Sequence, residues 1–469
     1  MLKKIAVAFS LSLLITVQAV AQSPSETALA AVRRSDASAG GSTGTVPKLA
    51  PAEHLRRAAV YLANRAFDEA RAHWHALIDN YPQDPHIPEA LFGIGRSYFL
   101  AKDYQDGYTV FNDLFQQYPN TKEGREALNF SAASLLRMSR FSESAARYEE
   151  YINKFPNGER IDTAHLNMID TLREAGRPAD ALTWVTKTRQ RFAGSATETN
   201  AMFAALRLHV AEGEWSNAIL MSDQLLQRNF AKAVATSRTE VAYLRAYSLE
   251  QAGRTEEAYA AYLAIPDGVE SYYGWLATQH LPGVNNTANT VRVDDRIDDV
   301  NTAIRKVADD YPAPYRQSIL NAAKARKIDP RFILALIRQE SVFKPFAKSP
   351  AGARGLLQLT MDAAQKYGPG AGLNSLRENQ LYQPDTSIIL GAEYIEHLVQ
   401  LFPQMLEPVA ASYNGGEDNV ERWLDRAKHK DPGVFTAEIG FDETKAYVQK
   451  VMSNYRVYRQ LYTENLIRK

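Results

Sequence analysis

Residues 102–119 read KDYQDGYTVFNDLFQQYP, and this stretch decides the fold because it recurs. Its aromatic–proline end, Tyr118-Pro119, has counterparts at Tyr81-Pro82 and Phe155-Pro156, each 37 residues away, and one further step lands on Phe192. A second mark, Tyr104, belongs to the series Phe67, Tyr104, Phe141, Pro178 and Trp215, again 37 apart at each step. Three residues after each mark stands a small side chain: Ala70, Gly107, Ser144, Ala181 and Ala218. Thr255 with Ala258 repeats the pairing after a slightly longer interval. A fixed period of this length is that of a supersecondary unit. The spacing predicts a helix, a short turn at the mark, a second helix, and a proline-bearing loop. Proline ends the second helix because it lacks an N–H and clashes with the preceding turn. The small residue lets the paired helices approach closely. One such unit cannot bury its apolar face alone, so neighbours must stack.

The repeat covers residues 51–265 and resembles the tetratricopeptide class, whose usual period is about 34. The extra residues are assigned to the loop between units. The resemblance implies an α-superhelix used as a binding or positioning surface, with cell-envelope proteins as the partners expected for it. The plainer alternative, that the repeat adds bulk and helps its neighbour fold, stays open.

A chain of 469 residues is too long for one ordinary core, so two or three domains are expected. Its 54 basic and 54 acidic side chains cancel, which gives no support for a nucleic-acid partner. The absence of cysteine excludes disulfides, thiolate nucleophiles, iron–sulfur clusters and zinc ribbons. With nine histidines and no HExxH motif, neither a metal site nor a cofactor is expected.

Lys3 and Lys4 precede a mostly apolar run from Ile5 to Val17, and Ala19-Val20-Ala21 supplies a cleavage pattern. Residues 1–21 are therefore read as a signal peptide rather than a membrane anchor, for which the run is short. Without cysteine there is no N-terminal lipid attachment, so an exported chain with no membrane anchor is expected. Residues 22–50, rich in Ser, Ala, Gly and Thr, are read as a flexible linker. Residues 266–311 are read as a helical connector. Within it, Ser271-Tyr272-Tyr273-Gly274-Trp275 should pack on an adjoining helix, Pro282-Gly283-Val284-Asn285-Asn286 should form a loop, and Val300–Tyr311 should form a helix ended by Pro312.

Residues 312–469 carry the chemistry. Asp329-Pro330 is a helix-start signal, with Asp as the cap and Pro in the first turn. Ile333, Leu336 and Ile337 lie at i, i+3 and i+4 of one face, and Glu340 continues that stripe at i+7. A carboxyl so placed loses hydration, which raises its pKa toward the range a general acid needs. The alternative is a glutamate at a frayed helix end that turns outward.

Four motifs follow in order: Glu340-Ser341; Ser349-Pro350-Ala351-Gly352-Ala353-Arg354-Gly355-Leu356-Leu357-Gln358-Leu359; Ala411-Ser412-Tyr413-Asn414-Gly415-Gly416; and Glu443-Thr444-Lys445-Ala446-Tyr447. They resemble the motifs of the soluble lytic transglycosylases, whose catalytic domain is lysozyme-like and whose larger members place an all-helical superhelix before it. The resemblance covers about residues 309–462. It implies that Glu340 is the single catalytic acid/base. By the same resemblance Gln358 is a polar substrate contact, Ser349 a hydroxyl near the sugar, and Tyr413 and Asn414 line the cleft. Glu443 and Tyr447 belong to a helix that closes over the glycan and its peptide. Leu357 departs from the family's Met, Leu359-Thr360-Met361 from Ile-Met-Pro, and Ser412 from Ala. Glu393 and Glu396 sit in no motif and are read as solvated or structural.

The fold class expected is mainly α: an N-terminal superhelix of tetratricopeptide-like repeats followed by a lysozyme-like α-rich catalytic domain. The function implied is cleavage of the β-1,4 bond between N-acetylmuramic acid and N-acetylglucosamine of peptidoglycan, leaving 1,6-anhydromuramoyl ends, in the periplasm. A lysozyme-type hydrolase and a repeat scaffold that binds glycan without cutting are the alternatives.

Overall fold

In the computed structural model, which describes residues 24–40, 46–281, 290–349 and 351–469, each mark of the 37-residue series opens a helix. The expected signal peptide at 1–21, the loop at Pro282–Asn286 and Pro350 lie outside the described residues. The chain divides into two compact units at Ala204/Ala205.

The first unit holds α1 (Pro24–Gly40), α2 (Pro51–Ala63), α3 (Phe67–Asn80), α4 (Ile87–Ala101), α5 (Tyr104–Gln117), α6 (Lys122–Arg137), α7 (Phe141–Lys154), α8 (Ile161–Glu174) and α9 (Pro178–Arg191). Helix α10 (Ala196–Ala211) runs through the boundary. Phe67, Tyr104, Phe141 and Pro178 are the first residues of α3, α5, α7 and α9, and Tyr81, Tyr118, Phe155 and Phe192 cap their C-termini. The small residues are buried where consecutive helices meet: Ala70 and Ala181 are fully enclosed. The Ser144 hydroxyl donates to the Ala132 carbonyl of α6 at 2.8 Å. The turn inside each pair rests on a residue the sequence pattern did not single out. Arg65, Lys102, Ser139 and Gly176, two positions before the marks, all have φ between +58° and +69°.

The stretch read as a linker departs from expectation, because residues 24–40 form α1. The reason is a face that pairs with α2 and α3. Val32 is buried with Ala58, Tyr61 and Trp74, and Leu29 packs against the same cluster. One turn on, Asp36 accepts from the Tyr61 hydroxyl at 2.6 Å and pairs with Arg57 and His73. These bonds hold its pKa low against the upward push of burial. The Gly-rich residues 41–45 lie outside the described residues.

The second unit continues the series, with Trp215 and Thr255 opening α11 (Trp215–Leu226) and α13 (Thr255–Leu263) around α12 (Arg238–Gln251). There follow α14 (Tyr272–His280), α15 (Thr290–Lys306), α16 (Arg316–Arg326), α17 (Pro330–Ser341), α18 (Met361–Tyr367), α19 (Pro384–Leu401), α20 (Leu406–Gly415), α21 (Glu417–Ala427), α22 (Pro432–Glu438) and α23 (Asp442–Leu461). Among the described residues there is no strand, only isolated bridges such as Lys348–Arg354 and Arg354–Leu359. The aromatic run at 271–275 lies at the start of α14, where Tyr272 and Tyr273 are buried and the Tyr272 hydroxyl donates to the Pro432 carbonyl of α22 at 3.2 Å. The helix expected over Val300–Tyr311 instead ends at Lys306 and gives way to a 3-10 turn at Ala308–Asp310. Tyr311 precedes Pro312 and is driven out of the helical region, to φ −117° and ψ 66°.

Helix α17 is the centre of this unit. The apolar stripe read from the sequence understates it, because Phe332, Ile333, Leu334, Ala335, Leu336 and Ile337 are all fully buried. A helix apolar all round has no solvent face, and each large side chain so buried contributes about 1.5–3 kcal/mol. It packs chiefly on α23, where Tyr447, Val451, Tyr455 and Tyr458 form a buried row. Among the described residues, no helix is long and apolar enough to cross a membrane.

Candidate active site

The helix that carries Glu340 is fixed at both ends. At its start the Asp329 carboxylate accepts from the Arg331 backbone N–H at 2.9 Å, and at 2.8 Å from the Tyr455 hydroxyl of α23. At its end the buried Ser341 hydroxyl turns back to the Ile337 carbonyl at 3.1 Å. Val342 and Phe343 then reverse the chain with φ of +48° and +61°. For a β-branched residue this conformation is strained, by about 1–3 kcal/mol. It stops α17 one residue after Glu340, so the carboxyl stands at the lip of a buried helix.

Glu340 itself is half-buried, and the Tyr447 hydroxyl donates to its Oε1 at 2.5 Å. Burial pushes its pKa up to about 7; the Tyr447 bond opposes the shift and the nearby Glu443 carboxyl adds to it. Burial likewise raises Glu443. A raised pKa alone does not single out a catalyst here. Glu407 is also pushed up to about 7 by burial, but it is only 4% exposed, under the Tyr272 hydroxyl at 3.4 Å. Glu340 differs from Glu407 in being reachable as well as shifted.

Two helices, α20 and α23, and the loop before α18 carry the other expected residues. From α20, Tyr413 lies close enough to Glu340 for the carboxylate to raise its phenol, which burial has already driven well above the usual range. Its hydroxyl donates to the Leu357 carbonyl at 2.7 Å, which ties α20 to the loop before α18. Its ring stands 5.1 Å from Tyr394, itself 4.7 Å from Tyr367, so a row of aromatic rings leads away from the acid. Asn414 is exposed, and its side-chain oxygen accepts from the Thr444 hydroxyl of α23 at 2.7 Å.

Gln358 sits in the loop at φ +47° with its amide nitrogen donating to the carbonyls of Ala347 at 3.0 Å and Gly355 at 2.8 Å. The amide NH₂ is thus occupied by backbone, and only its carbonyl oxygen is left to meet a ligand. Ser349 is buried in the same loop, where its oxygen accepts from the Ala353 N–H at 3.1 Å. Gly355 is required by space as well as by its φ of +79°, since a Cβ would lie 2.0 Å from the Leu381 carbonyl oxygen. Two contributors were missed: Thr444, which orients Asn414, and Ser387, whose hydroxyl accepts from the Leu357 N–H at 3.2 Å. Thr444 stood inside a quoted motif; Ser387 had no local signal. Glu393 and Glu396 both face Arg326, at 2.6 and 3.5 Å, and are structural. Among the described residues no cluster of three or more His, Asp or Glu could hold a metal ion.

Residues 317–435 match the family model of the transglycosylase SLT domain, and residues 55–120 match a tetratricopeptide repeat. The soluble lytic murein transglycosylase of Salmonella typhimurium is 30% identical over 151 residues, 32% of this chain and 23% of that protein. The matched stretch spans about a quarter of the length of the curated relatives. Among solved structures, an inactive mutant of the lytic transglycosylase Slt from Pseudomonas aeruginosa is similar at a TM-score of 0.51 and 20% identity, over 87% of this chain and 79% of that one. The 70-kDa soluble lytic transglycosylase in complex with bulgecin A gives a TM-score of 0.51 at 16% identity, over 95% of this chain and 90% of that one. At such identities the likeness shows the fold, which is mainly α with a lysozyme-like domain. The chain therefore carries an SLT transglycosylase domain together with tetratricopeptide repeats, in a fold shared with the soluble lytic transglycosylases.

Proposed function

We propose that this protein is a peptidoglycan lytic transglycosylase in which Glu340 is the single acid/base. The observation that carries the reading is a reachable carboxyl with its pKa pushed up to about 7, bonded to the Tyr447 hydroxyl. Such a group is part protonated at neutral pH, as a general acid must be. Glu340 gives its proton to the oxygen linking N-acetylmuramic acid to N-acetylglucosamine. The 2-acetamido carbonyl of the muramoyl sugar closes on the anomeric carbon as the leaving sugar departs. Glu340, now a carboxylate stabilised by the Tyr447 hydroxyl, takes the proton of that sugar's 6-hydroxyl. The oxygen attacks the anomeric carbon, the acetamido group is released, and a 1,6-anhydro ring forms with no water consumed.

In this reading the Gln358 carbonyl oxygen, Ser349, Tyr413 and Asn414 contact the glycan, and Glu443 and Tyr447 close the cleft. The transglycosylase domain spans 312–469, the connector 266–311 and the repeat 51–265. The chain acts in the periplasm after loss of residues 1–21, with the repeat as a surface for envelope partners. One observation favours lysozyme-type hydrolysis instead: Glu443 is close enough to raise Glu340, so a second carboxyl is at hand. Digestion of peptidoglycan separates the two. Released muropeptides one water lighter than the hydrolytic forms support the transglycosylase. Hydrated products refute it, and adsorption to sacculi without release would leave only a binding scaffold.

A further inference from the structure

Helix α23 does two jobs on opposite faces. Glu443 and Tyr447, four apart, share the face toward Glu340, whereas Lys445 lies about 160° or more around the helix from both. On that far side the Lys445 ammonium donates to Glu240 Oε1 at 3.0 Å, the Ala235 carbonyl at 3.2 Å and the Ala437 carbonyl at 3.4 Å. The side chains of Lys445 and Glu240 are 9% and 2% exposed. Glu240 is equally committed: Tyr273 donates to Oε1 at 2.9 Å, Thr236 to Oε2 at 2.8 Å. It stands in the first turn of α12, within the repeat and outside the matched SLT stretch. A buried ion pair this completely bonded specifies one arrangement of the groups around it, and losing one partner strands the other's charge.

We infer that Glu240 is a positioning residue of the active site, which through Lys445 sets the rotation and depth of α23 so that the Tyr447 hydroxyl reaches Glu340. The repeat then completes the catalytic machinery as well as adjoining it. The kinetic arm of the test rests on the proposed role of Glu340; the titration arm does not.

The test uses the full chain in four forms: wild type, Glu240→Gln/Lys445→Met, Tyr447→Phe, and their combination. The first variant removes both charges at similar volume, so it folds where Glu240→Gln alone, leaving a stranded ammonium, can fail; circular dichroism and melting confirm it. Expected is a kcat on peptidoglycan about tenfold lower with KM within about twofold, and no further loss when the same pair is added to Tyr447→Phe, because both act on one bond. Multiplicative losses, or an unchanged kcat in the folded variant, overturn the inference. Carboxyl titration by ¹³C-glutamate labelling, with Glu340→Gln locating the signal, reads the same coupling without catalysis. Glu340 is faced by Tyr447 and Glu443 from α23 and by Tyr413 from α20. The Tyr447 bond outweighs the Glu443 repulsion, so displacing α23 moves the midpoint up, as Tyr447→Phe does, and not again in combination. A wild-type midpoint in the folded variant refutes the positioning role. A wild type that releases no muropeptide refutes the proposed function instead, and the titration alone then decides.

Discussion

Replacing Tyr447 by Phe removes one hydroxyl and leaves the ring, which is 6% exposed, in place. What is lost is the 2.5 Å bond to Glu340 Oε1. That bond favours the carboxylate, so its loss favours the acid and the Glu340 pKa must rise. A hydrogen bond to a charged group is worth about 1.5–3 kcal/mol net. At about 1.4 kcal/mol per unit this moves the pKa up by about one to two units. The alkaline limb of kcat/KM, set in the wild type near 7 by this carboxyl, should therefore shift to about 8–9. Tyr447 does not produce the limb, because its own pKa is held well above 10 by burial and by Glu340. The second half of the reaction should suffer, since the carboxylate formed after proton transfer loses its donor; a kcat about tenfold lower at pH 6 corresponds to about 1.4 kcal/mol. The assay is initial-rate release of soluble muropeptide between pH 4 and 10 for both proteins. A limb that stays put, or moves to lower pH, would refute the idea that this bond tunes the acid.

Four other substitutions follow from the packing. Glu340→Gln should abolish turnover yet stabilise the protein at high pH. The carboxyl has its pKa near 7 in the fold against an ordinary 4.5, so the wild type loses stability, by at most about 3 kcal/mol, as pH rises through that window. Melting at pH 8 and pH 4 should show the variant's advantage only at pH 8. Gly355→Ala places a Cβ 2.0 Å from the Leu381 carbonyl oxygen at φ +79° and should cost about 3 kcal/mol in urea unfolding, with little activity left. Ala181→Leu, at a fully buried helix contact, should cost about 1–3 kcal/mol, whereas Ala179→Leu on the exposed side of α9 should stay within about 0.5 kcal/mol.

The parts of this structure that repeat were legible, because a repeated contact leaves a repeated residue. Phe67, Tyr104, Phe141, Pro178 and Trp215 each open a helix, and the small side chains that follow them are buried. What escaped was conformational or distant. Arg65, Lys102 and Ser139 take the left-handed turn position that Gly176, Gly213 and Gly253 advertise by type. Helix α1 hid in a low-complexity composition, since its evidence is the fit of Val32 and Asp36 to α2 and α3 rather than any pattern of its own. At the site, the i+7 position of Glu340 pointed toward the buried face, but its partner Tyr447 is 107 residues away. The Glu240–Lys445 pair spans 205 residues and leaves no periodic trace. The strain at Val342 that ends α17 is a backbone state that valine rarely adopts, so its side-chain type argues against it.

The central claim is that a single carboxyl, Glu340, passes a proton out and back with no water entering the product. Digestion of peptidoglycan by the purified wild-type chain in ¹⁸O-labelled water tests this most directly, with Glu340→Gln as the blank. The account predicts muropeptides with 1,6-anhydro ends, no heavy oxygen at the muramoyl anomeric carbon, and no release by the variant. Heavy oxygen at that carbon, or release undiminished in Glu340→Gln, would contradict it.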